Sequence, residues 1–201
     1  PMTRPAFPVP LAPPLRPFRK GDAQVVAELN DAASGGLMRQ LWQGIAGQGG
    51  DAWKAGRQHQ VRRAKAGQAI VVADAGQGPE AALIGMALPL EPENPFAVPP
   101  VFAPLVELEN LVRGAWYLNV LGTVPQARRR GHARRLMGVA EALARAGGHA
   151  EMALTVYDAN APALALYRDA GFAERARRPV LRAAGWAAPG RDWLLMVRPL
   201  G

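Results

Sequence analysis

The first third of this chain spaces its apolar residues at helical intervals, and the stretches after it carry short unbroken apolar runs. From Asp22, a residue suited to cap a helix, the segment AQVVAELNDAA places Val25, Val26 and Leu29 on one helical face. GLMRQLWQGIA repeats the pattern, with Leu37, Leu41 and Ile45 four residues apart. A third helix is expected from about Trp53 to Lys65, beyond the Gly-Gln-Gly-Gly stretch at 47–50. QAIVVAD from Gln68 and AALIGMALPL from Ala81 are apolar runs divided by the turn-rich AGQGPE, and predict an antiparallel hairpin in the sheet interior. The proline-dense EPENPFAVPPVFAPL then reads as a long irregular connection, of the kind that lies over a substrate cleft.

The second half alternates strand and helix. WYLNVLGTV is a buried strand and an arginine-rich turn follows it. A helix is expected from about His132 to Ala146, with Leu136, Ala140, Leu143 and Gly147 along one face. EMALTVY is the next strand, and NAPALALYRDAGF contains a helix that starts after Asn160 and stops at Gly171, a residue suited to a left-handed cap. Strand, helix, strand in this order predicts two parallel neighbours, and FAERARRPV and RDWLLMVRPL close the sheet as an antiparallel pair. The first 17 residues, PMTRPAFPVPLAPPLRP, are expected to be an extended arm, because each proline removes a donor and fixes φ. Residues 18–201 are then one domain, which their number and apolar content suffice to build.

Composition narrows the chemistry. The absence of cysteine excludes disulfides, thiolate metal sites and a cysteine-bound acyl intermediate. His59, His132 and His149 show no chelating spacing, so no metal site is expected. No apolar run reaches the roughly 20 residues of a membrane span, and the start lacks a signal-peptide pattern, so the chain is read as cytoplasmic with no membrane partner. The net charge of +8 is carried mostly by arginine, Lys20, Lys54 and Lys65 being the only lysines. It suggests an anionic partner, but coding bias accounts for an excess of this kind equally well. Nucleic acid is not expected, since no aromatic residues are interleaved with the arginines as a stacking platform.

The turn Arg128-Arg129-Arg130-Gly131-His132-Ala133 concentrates the candidate chemistry. Amides of residues 129–134, at the positive end of a helix, are free to face a pyrophosphate, with a dipole contribution of ~0.3 to 1 kcal/mol at exposed sites. Gly131 allows close approach and Ala133 is small. An exposed arginine run is by default a solvated face, so the backbone is the expected anchor, and only some of Arg128, Arg129, Arg130, Arg134 and Arg135 are expected to touch the ligand. Gly122, inside the preceding strand, marks close approach of a ligand or another chain segment.

Arg128-x-x-Gly131-x-Ala133, followed by Asn160-x-Pro162-Ala163-x-x-Leu166-Tyr167-x-x-x-Gly171-Phe172, resembles the two ordered cofactor motifs of the GNAT superfamily of acetyl-CoA-dependent N-acetyltransferases. The resemblance covers residues 115–175; the first half agrees only in element order. It implies an α/β (α+β) fold with a mixed, mostly antiparallel sheet flanked by helices and a cofactor notch between two central parallel strands. It implies acetyl-CoA as cosubstrate, without metal, and direct transfer of acetyl to a primary amine in a ternary complex. It assigns cofactor contacts to Leu121, Gly122 and Thr123 on a splayed strand, to Arg128, Arg129, Arg130, Gly131, His132, Ala133 and Arg134 in the turn, and to Asn160, which also suits a helix cap. It makes Tyr167 the general acid for the departing thiolate, although a helical tyrosine among leucines is otherwise a core residue.

An ammonium acceptor must lose a proton before it attacks, and Glu107 and Glu109, ahead of the strand that carries Tyr117 and Asn119, are the candidate bases. Either can equally be a surface residue, and an acceptor arriving neutral needs no base. The competing reading is a non-catalytic basic module of the same fold that holds CoA or nucleic acid. The acceptor is left open among a polyamine, an amino sugar, an amino acid and a protein amine, as is a homo-oligomer.

Overall fold

A seven-stranded sheet, in the order β1-β2-β3-β4-β5-β7-β6, forms the middle layer of the structure, a computed structural model that describes residues 7–201. The strands are β1 Leu15–Pro17, β2 Ala69–Ala73, β3 Ala81–Ala87, β4 Trp116–Thr123, β5 Glu151–Tyr157, β6 Ala173–Pro179 and β7 Asp192–Pro199. All neighbours are antiparallel except β4 and β5, which are parallel and joined by a helical crossover. The mixed, mostly antiparallel sheet implied by the sequence is therefore the one observed.

The alternation of side chains along each strand sends two apolar sets to opposite faces. One face, with Val71, Leu83, Leu118, Met152, Leu154 and Met196, is covered by α5 (His132–Ala146) and α6 (Ala161–Asp169). The other is covered by α1 (Ala23–Ala33), α2 (Leu37–Ala46), α3 (Ala52–Lys65) and α4 (Ala103–Glu109). α2 and α3 approach closely because Gly56 has no side chain: a Cβ there would lie 2.6 Å from the Trp42 ring. That ring is fully buried, whereas Leu41 is half-buried and Ile45 exposed, so the buried face of α2 runs through Leu37 and Trp42 and not through the expected Leu37, Leu41 and Ile45. On α5, Leu136, Ala140 and Leu143 are buried as expected, and Gly147 ends the helix exposed.

Further expectations are corrected. The proline-rich arm does not stay unpaired: its last three residues form edge strand β1 against β2, and Val9 is buried in the core. A sheet edge tolerates proline because one side of the strand needs no donors. Arg16 fastens this strand, with Nη1 donating to Asp22 Oδ2 at 2.7 Å and Nη2 to Asp74 Oδ2 at 2.6 Å. Asp22, expected to cap α1 with its side chain, instead accepts from Arg16 and from the Arg19 amide. Residues 1–6 of the arm lie outside the described residues. Another correction is at the end of the proline-dense connection, whose last three residues already belong to the helix α4, entered through Pro104 in its first turn, where a missing N–H costs nothing.

Candidate active site

β4 and β5 share only two residue pairs, Trp116 with Met152 and Tyr117 with Ala153. Beyond them the strands part, so Leu118 and residues 120–123 keep their β3 partners while 118–123 present a free edge toward β5. A bulge accompanies the parting. Gly85 pairs with Leu118 and Ile84 with Val120, leaving Asn119 as the extra residue of β4. Leu118 therefore faces α5, while both Asn119 and Val120 face the α1–α3 side.

Past the end of β4 the chain turns into α5 with Arg129 at φ 66° and Gly131 at φ 82°. Among the described residues, no backbone or side-chain group accepts from the amides of residues 129–134; the first bond of the helix is from Arg135 N to Gly131 O. A Cβ on Gly131 would meet nothing within 4 Å, so the space above these amides is open. A row of unbonded N–H groups at a helix N-terminus, under open space, fits a pyrophosphate. The arginines around it are exposed. Arg130 Nη1 donates to Glu80 Oε1 at 3.1 Å, and the buried His132 lies with Nε2 3.1 Å from Glu80 Oε2. The imidazole thus turns inward to Glu80, leaving only the His132 amide to the turn. Leu121, Gly122 and Thr123 lie on the free edge of β4. The close approach that Gly122 marks is that of α1, since a Cβ there would stand 3.2 Å from Leu29 Cβ, and no ligand is needed to explain it.

Asn160 caps α6, its Oδ1 accepting from the Ala163 amide at 3.3 Å. Tyr167, two turns on, is buried on the α5–α6 face with its ring edge-on to Phe172, the centroids 6.1 Å apart. Burial pushes its phenol up to about 12, so it holds its proton at neutral pH.

On the opposite face, where β4 and β5 part, lies a cavity of about 360 Å³ between α1, α2, α4 and the sheet. Its walls are mostly apolar, with Leu37, Leu41, Phe102 and Leu105 among them, and residues of the proline-dense connection, Val98 and Pro99, lie over it. Its polar groups are few. Tyr117 Oη is 2.7 Å from Thr155 Oγ1, and burial together with the nearby Glu109 raises the Tyr117 phenol well above its ordinary value. Among the described residues, Asn30 Nδ2 and Trp193 Nε1 are buried without a hydrogen-bond partner, although both residues line the cavity.

Glu109 is the carboxylate of this cavity. Burial raises it from 4.5 to about 7, helped by the charge of Glu93 and opposed by Tyr117 and by Arg63. Glu107 is elsewhere: it accepts from Arg178 Nε at 2.6 Å outside the cavity. Both residues lie on α4, and two positions apart on a helix is about 200° of rotation, so only one can face inward. The polar residues that sequence reasoning missed are Asn30, Thr155, Trp193 and Arg63. They lie on four separate elements, and no short motif joins them.

No curated protein matches the sequence. The fold matches a ribosomal-protein-alanine N-acetyltransferase from Brucella melitensis (TM-score 0.62, 19% identity, 92% of this chain and 98% of that one). It also matches an N-acetyltransferase from Staphylococcus aureus Mu50 (TM-score 0.63, 11% identity, 93% and 98%). A third match is yncA of Salmonella typhimurium, a putative acetyltransferase solved with its cofactor acetyl-CoA (TM-score 0.60, 16% identity, 93% of both chains). At these identities the likeness is one of fold. The sequence profile of the acetyltransferase (GNAT) family matches residues 38–172, a span that includes the seam between β4 and β5, the open turn before α5 and the cavity carboxylate, and the chain belongs to that family.

Proposed function

We propose that the protein moves an acetyl group from acetyl-CoA to a primary amine by direct attack, with Glu109 as the base and Tyr167 as the proton donor. The observation that carries the reading is the position of Glu109. It is a carboxylate raised to about 7, placed in a mostly apolar, partly open cavity beside the unpaired edge of β4. A base poised near the working pH exists in the right form and still accepts a proton readily.

The amides of residues 129–134 hold the pyrophosphate, with Gly131 and Ala133 keeping the approach clear, and Asn160 and the free edge at Leu121, Gly122 and Thr123 hold the arm. Exposed side chains among Arg128, Arg129, Arg130 and Arg134 add long-range attraction. Bound there, acetyl-CoA supplies an activated thioester. A backbone N–H on the free edge of β4 polarises the acyl carbonyl. Glu109 takes the proton that the acceptor ammonium must lose, and Tyr167, protonated at neutral pH, donates to the departing sulfur. Residues 18–201, with edge strand β1 added to their sheet, form the catalytic unit. Isothermal titration with acetyl-CoA and a thiol-release assay across an amine panel test this together. Absence of acetyl-CoA binding, or full turnover by Tyr167→Phe at saturating substrate, would refute it.

A further inference from the structure

A second recess opens beside the cavity. It is a groove of about 460 Å³ whose lining includes His59, Arg62 and Arg63, and it shares Met38, Glu109 and Asn119 with the cavity. Glu109 thus stands at a junction, with an apolar chamber on one side and a basic groove on the other.

The groove has charge to spare. The Arg63 guanidinium donates from Nε to Gln68 Oε1 and from Nη2 to Asn119 Oδ1, both neutral amides. Among the described residues no carboxylate forms an ion pair with Arg62 or Arg63. Burial lowers Arg63 to about 10, opposed by the charge of nearby Glu109, which still leaves it charged at neutral pH and without a hydrogen-bonded anion among the described residues. His59, lowered to about 4 by burial and by Arg62 and Arg63, is neutral there, so the guanidiniums alone set the sign of the groove. Glu109 is the one carboxylate lining either recess. A polyamine or a lysine-rich peptide would bring a second ammonium toward arginines with nothing to neutralise it.

We infer that the acceptor is a free amino acid with an apolar side chain, its amine at Glu109, its carboxylate in the groove at Arg62 and Arg63, and its side chain in the cavity behind Phe102 and Leu105. The inference rests on the acetyl-transfer reading above. An α-amino acid carries its carboxylate and its side chain on one carbon next to the amine, and these three groups diverge as the two recesses diverge from Glu109.

The test is a thiol-release assay at saturating acetyl-CoA, comparing leucine, methionine and phenylalanine with their decarboxylated amines, with spermidine and with a lysine peptide. The carboxylate-bearing acceptors should exceed their decarboxylated counterparts in kcat/KM by about 10- to 100-fold, the worth of a charged hydrogen bond. Arg63→Met should remove that advantage with acetyl-CoA affinity by titration unchanged; because Arg63 also lowers the Glu109 carboxyl, turnover of the decarboxylated amines falls too, and the quantity read is the ratio of kcat/KM between the two acceptor types. Because Arg63 also holds Asn119, Arg62→Gln, at an exposed position, gives an independent reading and should lower the carboxylate preference by about 3- to 10-fold. Preference for spermidine, the peptide or the decarboxylated amines, with acetyl-CoA still bound, overturns the amino-acid assignment alone. Equal losses on both acceptor types in both variants overturn the carboxylate role. Loss of acetyl-CoA binding by the unmodified protein overturns the underlying function as well.

Discussion

The two faces of the sheet meet at the β4–β5 seam and are built from different material. On the α5–α6 face the candidate grip is backbone: unbonded amides at 129–134 and the free edge of β4, with an open space over Gly131. On the other face the cavity is side chains, drawn from α1, α2, α4, β4, β5 and β7 around one carboxylate. A site made of backbone asks little of residue identity beyond small size at a few places, whereas a site made of side chains depends on each of them. Substitution should therefore be tolerated very unequally on the two faces.

The largest effect is expected at Glu109. Glu109→Gln should lower kcat by about 10²- to 10⁴-fold with acetyl-CoA affinity unchanged, and in the unmodified protein kcat/KM should rise with pH through about 7 as the carboxylate ionises. Tyr167→Phe should cost on the order of 10²-fold in kcat while circular dichroism and melting stay close to wild type. The phenol acts from the opposite face, so an equal loss at both positions would blur the contrast.

The raised Glu109 also reports on stability. Its folded form binds a proton more tightly than the unfolded chain, so its favourable contribution is complete below about 4.5 and is lost as pH rises through about 7. Glu109→Gln should consequently be more stable than wild type at pH 8, by about 1 to 3 kcal/mol in urea titrations, and should show no gain at pH 4. Gly131→Val should weaken acetyl-CoA binding at least about 10-fold and cost roughly 1 to 3 kcal/mol of strain, because φ there is 82°. The smallest effect belongs to Arg130→Ala, which removes an exposed pair with Glu80 and should change acetyl-CoA affinity by no more than about threefold. A larger loss at Arg130 than at Gly131 would show that side chains and not amides carry the cofactor face.

The same contrast explains what could be read from the sequence. The turn, the helix from His132 to Ala146, the cap at Asn160 and the parallel pair were legible because each depends on residues close together in the chain. The cavity was not, because Asn30, Glu109, Thr155 and Trp193 are brought together only by the fold. Glu109 could be nominated as a carboxylate but not separated from Glu107 until α4 was known. That helix was hidden by prolines that elsewhere signal irregular chain, although Pro104 at its start is a recognised opening. Trp42 displaced Ile45 from the core of α2 because Gly56 on the neighbouring helix leaves room for an indole, a pairing that periodicity cannot see.

The parting of β4 and β5 also has a mechanical side. Ladder continuity across the middle of the sheet rests on two residue pairs, so beyond them the two halves are joined by side-chain packing and not by backbone hydrogen bonds. Hydrogen exchange should find the amides of 118–123 that point into the gap among the least protected in the sheet, and a ligand bonded along that edge would serve as the missing rung. Occupancy of the seam would then be felt as local stiffness, read as slower hydrogen exchange of the 118–123 amides when acetyl-CoA is present.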